Sequence, residues 1–290
     1  MRPPVPRTAA IHDLSGFGRA SLTVIIPILS TMGIQVCPLP TAVLSTHTGG
    51  FENYRLTDLS DHMRETIRHW RDLKLRFDAV YSGFLGSSEQ IDIVLEFIDI
   101  FSREEQLVLI DPVMGDNGAP YAPVTPELIR GMGRLVKKAR VITPNFTEVC
   151  SLLGREYTEK IEPGELKEWL IRLSDLGPAI VIATSVPLGR SERTSAVVAY
   201  NREDGRFWKV DCTFIPAYYP GTGDAFASVV LGSLLQGDSL PIALDRSVQF
   251  ATLAIKASFG YDLPRREGVL LERVLSNLKA PLTSMTYEDW

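Results

Sequence analysis

The chain has 290 residues, 45% hydrophobic and 22% charged, a balance that suits a globular protein able to bury a sizeable core. Its net charge of −5 argues against nucleic acid as a partner, because phosphate backbones are held by clustered Lys and Arg. No apolar run approaches the roughly 18 residues that span a bilayer, and the stretch Met1-Arg2-Pro3-Pro4-Val5-Pro6-Arg7 has no signal-peptide core, so a cytoplasmic protein without membrane contact is expected.

In chain order, residues 9–12 predict a strand, 21–32 a helix kinked at Pro27, and 34–39 a second strand. Helical charge spacing over 58–73 precedes a short strand at 79–81, a helix at 90–101 and a strand at 107–110. A helix at 126–138, a brief strand at 141–142, helices at 145–153 and 165–173, and an apolar strand at 179–183 follow. Two β-rich runs at 196–200 and 207–212 flank Asn201-Arg202-Glu203-Asp204-Gly205, a hairpin signal, and helices close the chain at 223–235, 242–258 and 269–278. Strands alternating with helices imply an α/β protein with a mostly parallel sheet, helices on both faces and an antiparallel edge hairpin. No repeat, low-complexity tract or linker divides the chain, so residues 1–290 are expected to form one domain. Cys37, Cys150 and Cys212 lack CxxC spacing and suggest neither disulfides nor a zinc site.

Ligands of such sheets bind beyond the carboxyl ends of the strands, so motifs just after strands are where chemistry is sought. Gly221-Thr222-Gly223-Asp224 sits between the aromatic loop Tyr218-Tyr219-Pro220 and an apolar helix. Its glycines free the backbone amides, the helix dipole favours an anion, and Asp224 could accept a hydroxyl proton beside that anion. Taken alone, the string reads more readily as an ordinary helix start, since short glycine-rich strings recur by chance. Asp111-Pro112-Val113-Met114-Gly115-Asp116 could place carboxylates for Mg²⁺ or be a simple turn. Thr143-Pro144-Asn145-Phe146-Thr147-Glu148 has the spacing of a capping box, with Asn145 and Glu148 near the phosphate and metal zone. Thr184-Ser185 adds two hydroxyls at another strand end, and Ser45-Thr46-His47-Thr48-Gly49-Gly50 adds further donors after the second strand. Gly131-Met132-Gly133 falls inside a helical pattern, and no GxxxxGK[ST] string is present, which excludes a P-loop NTPase.

Together these motifs resemble the ribokinase-like superfamily, in particular the pyridoxal/pyridoxamine kinases of its vitamin-kinase branch, over nearly the whole chain. The resemblance implies a ribokinase-like fold, ATP as phosphoryl donor, Mg²⁺, K⁺ as a candidate monovalent cation, a homodimer, and the 5′-hydroxymethyl group of a vitamin B6 vitamer as acceptor. By the same resemblance Asp224 is the base and Gly221, Thr222 and Gly223 form the anion hole. Asp111 and Glu148 support the metal, while Asp116, Tyr121, Asn145, Thr184 and Ser185 contact the nucleotide. Asp13, Ser15, His47, Thr48 and Phe84 fall on the acceptor side. Two positions depart from the pyridoxal kinase pattern: Asp13 stands where a serine is usual, and Phe84 where a tyrosine is commoner. The string Asp13-Leu14-Ser15-Gly16 is instead similar to hydroxymethylpyrimidine (phosphate) kinases, which makes that activity the second reading. A sugar kinase ranks third, because no lid strands are expected around Gly49-Gly50. A catalytically silent vitamer- or nucleotide-binding regulator is the alternative from another class.

Overall fold

The structure, a computed structural model, describes residues 4–121, 124–188, 195–213, 215–281 and 285–290; Met1, Arg2 and Pro3 of the N-terminal stretch considered above lie outside them. Six parallel strands form its centre: β1 (Arg7–Phe17), β2 (Gln35–Thr46), β4 (Ala79–Ser82), β5 (Leu107–Ile110), β8 (Val141–Ile142) and β9 (Ile180–Val186), in the order β2-β1-β4-β5-β8-β9. An antiparallel hairpin, β10 (Ser195–Asn201) and β11 (Arg206–Cys212), extends the β9 side, as its turn signal predicted. Beyond it pairs β12 (Tyr287–Asp289), and β3 (Leu56–Asp58) closes the opposite edge against β2.

Alternate residues of the central strands feed two cores, as the two-residue period of a strand requires. Ala9, Ile11, Val80, Val181 and Ala183 face α2 (Ser60–Asp72), α3 (Ser88–Phe101), α4 (Pro126–Val136), α5 (Phe146–Leu153) and α6 (Pro163–Asp175). Ala10, Ala79, Tyr81, Ile180 and Ile182 face α1 (Leu22–Thr31), α7 (Thr222–Gln236) and α8 (Leu240–Phe259). Strands buried on both faces read as unbroken apolar runs, which is why β5 and β9 were visible in the sequence. The expected architecture, a mostly parallel sheet with helices on both faces and an edge hairpin, is the one observed.

The differences from expectation have physical causes. β1 and β2 run past the end of β4 and stay paired to each other there, from Leu14↔Val43 to Phe17↔Thr46, after a register shift beyond His12. This projecting ribbon, with β3 against Ala42 to Leu44, supplies strands beside Gly49-Gly50 where none was expected. Its residues are largely polar or exposed, so no apolar period announced it. The expected helix at 269–278 is instead a run of 3₁₀ turns, Leu271–Arg273 and Leu275–Lys279, following a further turn at Arg265–Glu267. Leu271, Val274 and Leu278 are buried, and spacings of three and four serve both helix types, so the period did not discriminate. The C-terminal aromatics carried no functional signal. In the structure β12 covers the edge of β11, with the Lys167 ammonium 4.8 Å from the Trp290 ring. No helix among the described residues is long and apolar enough to cross a membrane.

Candidate active site

The carboxyl ends of β1, β5, β8 and β9 open into a cavity of about 640 Å³, into which the first turns of α5 and α7 also project. This is the crevice where an open α/β sheet collects ligands, beside the point where the strand order reverses. The structure brings together there Asp13, His47, Thr48, Phe84, Asp111, Asp116, Tyr121, Asn145, Glu148, Thr184, Ser185 and the run Gly221 to Asp224. Ser15 is the exception among the expected residues. It lies buried behind Asp13 and donates its hydroxyl to Asp13 Oδ2 at 3.3 Å.

Gly221 precedes α7 with φ +81°, and a Cβ there would lie 2.3 Å from the Arg19 carbonyl oxygen. Only glycine can make this turn at this distance from the backbone. No side chain caps α7, so its first amides remain available to an anion, reinforced by the helix dipole. Asp224, in that first turn, accepts the Ser21 amide proton on Oδ2 at 2.8 Å. Burial lifts its pKa to about 6, the Ser21 hydrogen bond working against that rise and the nearby Asp13 charge adding to it. A carboxylate so poised is ionised at neutral pH yet basic enough to accept a proton.

Across the cavity, Asn145 caps α5 by accepting the Glu148 amide proton on Oδ1 at 3.0 Å. Glu148 Oε2 accepts the Asn145 amide proton at 2.8 Å, and Oε1 the Met114 amide proton at 2.9 Å. The capping box expected from sequence therefore also ties α5 to the segment after β5. Gly115 makes that segment fold back as a two-residue hairpin, β6 (Gly115–Asp116) with β7 (Ala119–Pro120), since any Cβ would meet Ala119 O at 2.3 Å. Asp111 Oδ1 accepts the Thr143 hydroxyl proton at 3.1 Å. Burial and then the Asp224 charge raise the Asp111 pKa to about 7, and burial and then Asp111 hold Glu148 well above the usual carboxylate range.

The described residues lining the cavity include five carboxylates, Asp13, Asp111, Asp116, Glu148 and Asp224, and neither Lys nor Arg. Mutually repelling buried carboxylates call for a cation. Among the described residues no cluster of three or more His, Cys, Asp or Glu has metal-ligating geometry. An ion held here would take most of its ligands from water and phosphate, the habit of Mg²⁺, so the donor set fits that metal with Asp111 and Glu148 as its protein support.

Within β1 Asp13 is buried, and its Oδ1 accepts the Ser21 hydroxyl proton at 2.5 Å. Burial raises its pKa, with the two serine hydroxyls opposing. Both ring nitrogens of His47 are engaged by backbone: Nδ1 accepts the Gly49 amide proton at 3.1 Å, and Nε2 lies 2.7 Å from Arg266 O. These partners select the Nε2–H tautomer, and burial lowers the pKa, so the imidazole is neutral and clamps its loop. Elsewhere in the cavity, Tyr121 and Tyr218 interact through their hydroxyls beside Asp116, and Val248, Ala251, Thr252 and Ile255 of α8 provide an apolar wall.

The sequence profile of the phosphomethylpyrimidine kinase family matches residues 26–266. The chain belongs to that family. This kinase superimposes with TM-scores of 0.97 and 0.96 on two crystal forms of a Bacteroides thetaiotaomicron protein provisionally named a phosphomethylpyrimidine kinase, one of them containing pyridoxal. Sequence identity is 52% in both, with 99–100% of each chain covered. Pyridoxal kinase from Lactobacillus plantarum superimposes with a TM-score of 0.85 at 29% identity, over 94% of this kinase and 96% of that chain. The pyridoxal kinase of Arabidopsis thaliana is 29% identical over 242 residues, 79% of this kinase and 73% of its own length. Ser21 and Tyr218 line the cavity of the kinase without having been expected there. Ser21 sits in a helix start that offers no motif, and Tyr218 was visible only as part of an irregular aromatic loop.

Proposed function

We propose that this kinase transfers the γ-phosphoryl group of MgATP to the 5′-hydroxymethyl group of a vitamin B6 vitamer. The observation that carries the phosphoryl-transfer step is Asp224, a half-buried carboxylate with its pKa raised to about 6, in the uncapped first turn of a glycine-started helix. The vitamer choice is supported by the pyridoxal held by the Bacteroides relative and by the pyridoxal kinase names of the other relatives.

The carboxylate of Asp224 accepts the hydroxyl proton as the acceptor oxygen attacks. The free amides at the start of α7 stabilise negative charge on the transferring group, and phosphoryl transfer gains most from such placement and electrostatics. Mg²⁺, supported by Asp111 and Glu148, neutralises phosphate charge when bound. Asn145, Thr184 and Ser185 lie where donors can reach the phosphates, and Asp116, Tyr121 and the α8 wall border the nucleoside. Asp13, Thr48 and Phe84 bound the acceptor ring, with Ser15 acting through Asp13 and His47 through its loop. The whole chain acts as one domain, and the family resemblance supports a cytoplasmic homodimer.

The test is MgATP-dependent phosphorylation of pyridoxal, pyridoxamine, pyridoxine and hydroxymethylpyrimidine in parallel. Turnover of a B6 vitamer exceeding that of the pyrimidine is expected; turnover of the pyrimidine alone would transfer the mechanism to the second reading.

The pKa of Asp224 also sets a pH dependence. The base works deprotonated, so kcat/KM for the vitamer should be level above neutrality and fall about tenfold per pH unit below about 6. A profile flat down to pH 5 would remove Asp224 as the titrating base.

A further inference from the structure

Ser21 occupies the position just before α1, where a serine ordinarily caps the helix by accepting an amide proton. Here its side chain makes no cap. The backbone is turned to φ 52° and ψ −130°, a conformation that L-residues avoid and that persists only where the surroundings enforce it. That turn directs two donors of one residue at two carboxylates: the amide reaches Asp224 Oδ2 at 2.8 Å and the hydroxyl reaches Asp13 Oδ1 at 2.5 Å. The hydroxyl is buried, and the residue is further pinned by an antiparallel bridge to Leu14.

We propose that Ser21 is a positioning residue that joins the acceptor end of the cavity to the catalytic base, its backbone strain serving to hold Asp224 in line while its hydroxyl ties that placement to Asp13. The proposal rests on the vitamer-kinase reading above. Without the Ser21 hydroxyl, Asp13 retains the Ser15 hydroxyl at 3.3 Å as its side-chain partner, and the Ser21 segment is held by one tie fewer beside Asp224. A change at the acceptor carboxylate would then no longer reach the base.

Two variants separate positioning from stability. Ser21→Gly keeps the amide, removes the hydroxyl and relieves the positive φ; Ser21→Ala removes the hydroxyl and keeps the strain. Both are expected to lower kcat for the preferred vitamer about tenfold, the scale of one hydrogen bond to a charged group, with KM for ATP changed less than about twofold. Ser21→Gly should do so with an unchanged or higher melting temperature. In a double-mutant cycle, Asp13→Asn should cost several-fold less activity in the Ser21→Gly background than in the wild type. Wild-type kcat in Ser21→Gly, or equal cost of Asp13→Asn in both backgrounds, would overturn the proposal. A kcat loss in Ser21→Gly matched by a fall in melting temperature would reduce Ser21 to a structural role and overturn it equally. If Ser21→Gly does not fold, Ser21→Ala decides by the same cycle. Failure of the wild type to phosphorylate any vitamer is a separate outcome, which removes the vitamer reading and this proposal with it.

Discussion

Replacing Asp224 by Asn is expected to lower kcat about 10²–10⁴-fold, the range for losing a positioned general base, while KM for ATP changes less than about threefold. The amide is nearly isosteric, and its oxygen can still accept the Ser21 amide proton that now holds Oδ2 at 2.8 Å. The loop and the first turn of α7 should therefore keep their shape, and only the proton acceptor is lost. The same substitution removes one of several mutually repelling carboxylates. A carboxyl group whose folded pKa is raised contributes stability that is full below its unfolded value, 3.8, and is lost as pH rises through its folded value, here about 6. At pH 8 that contribution is absent in the wild type, so the neutral Asn variant should melt no lower than the parent and is expected to melt higher. Function and stability thus pull in opposite directions at this position, as they do where an active site stores electrostatic strain. Steady-state kinetics with thermal melts at pH 8 check both halves; wild-type kcat in the variant would exclude Asp224 as base.

The parts legible in the sequence were those where one local rule sufficed. Leu107–Ile110 and Val141–Ile142 were placed with their observed bounds because a strand buried on both faces is a short apolar run with punctuated ends. The capping box at Asn145 and Glu148 was legible because it is a spacing of three residues. What it could not disclose is that Glu148 also receives the Met114 amide, a contact across 34 positions that fastens the segment after β5 to α5. The ribbon of β1, β2 and β3 escaped because its distal residues are largely polar or exposed and pair mainly with one another. Asp13 was expected after the end of a strand and lies within one, for the same reason. Ser21 escaped because its role resides in a backbone angle and two long-range donors rather than in residue type. His47 shows the converse. The family resemblance put it on the substrate side, and it lines the cavity, but only the folded loop reveals that both ring nitrogens are engaged by backbone.

The second large effect is expected at Gly221. A Cβ at this position meets the Arg19 carbonyl oxygen at 2.3 Å, and φ +81° is unfavourable for any L-side chain. Arg19 cannot easily withdraw, because its amide donates to Glu267 O at 3.0 Å and its guanidinium pairs with Glu272. Relief of the clash must move either the start of α7 or the segment that carries Ser21, and both motions displace the anion-binding amides from the base. Gly221→Ala is therefore expected to lower kcat by at least about 10²-fold, as loss of an aligned oxyanion donor does. The left-handed conformation alone should cost about 1–2 kcal/mol in stability, with the clash adding to it. Gly33→Ala supplies the comparison. Gly33 has nearly the same φ, +82°, but nothing lies within 4 Å of its Cβ position and it does not line the cavity. That variant should show the conformational cost in its melting temperature and wild-type kcat in the folded protein. If Gly221→Ala lost stability to the same extent and kept its kcat, the approach to Arg19 would be incidental, and the anion would have to be held by amides elsewhere in the cavity.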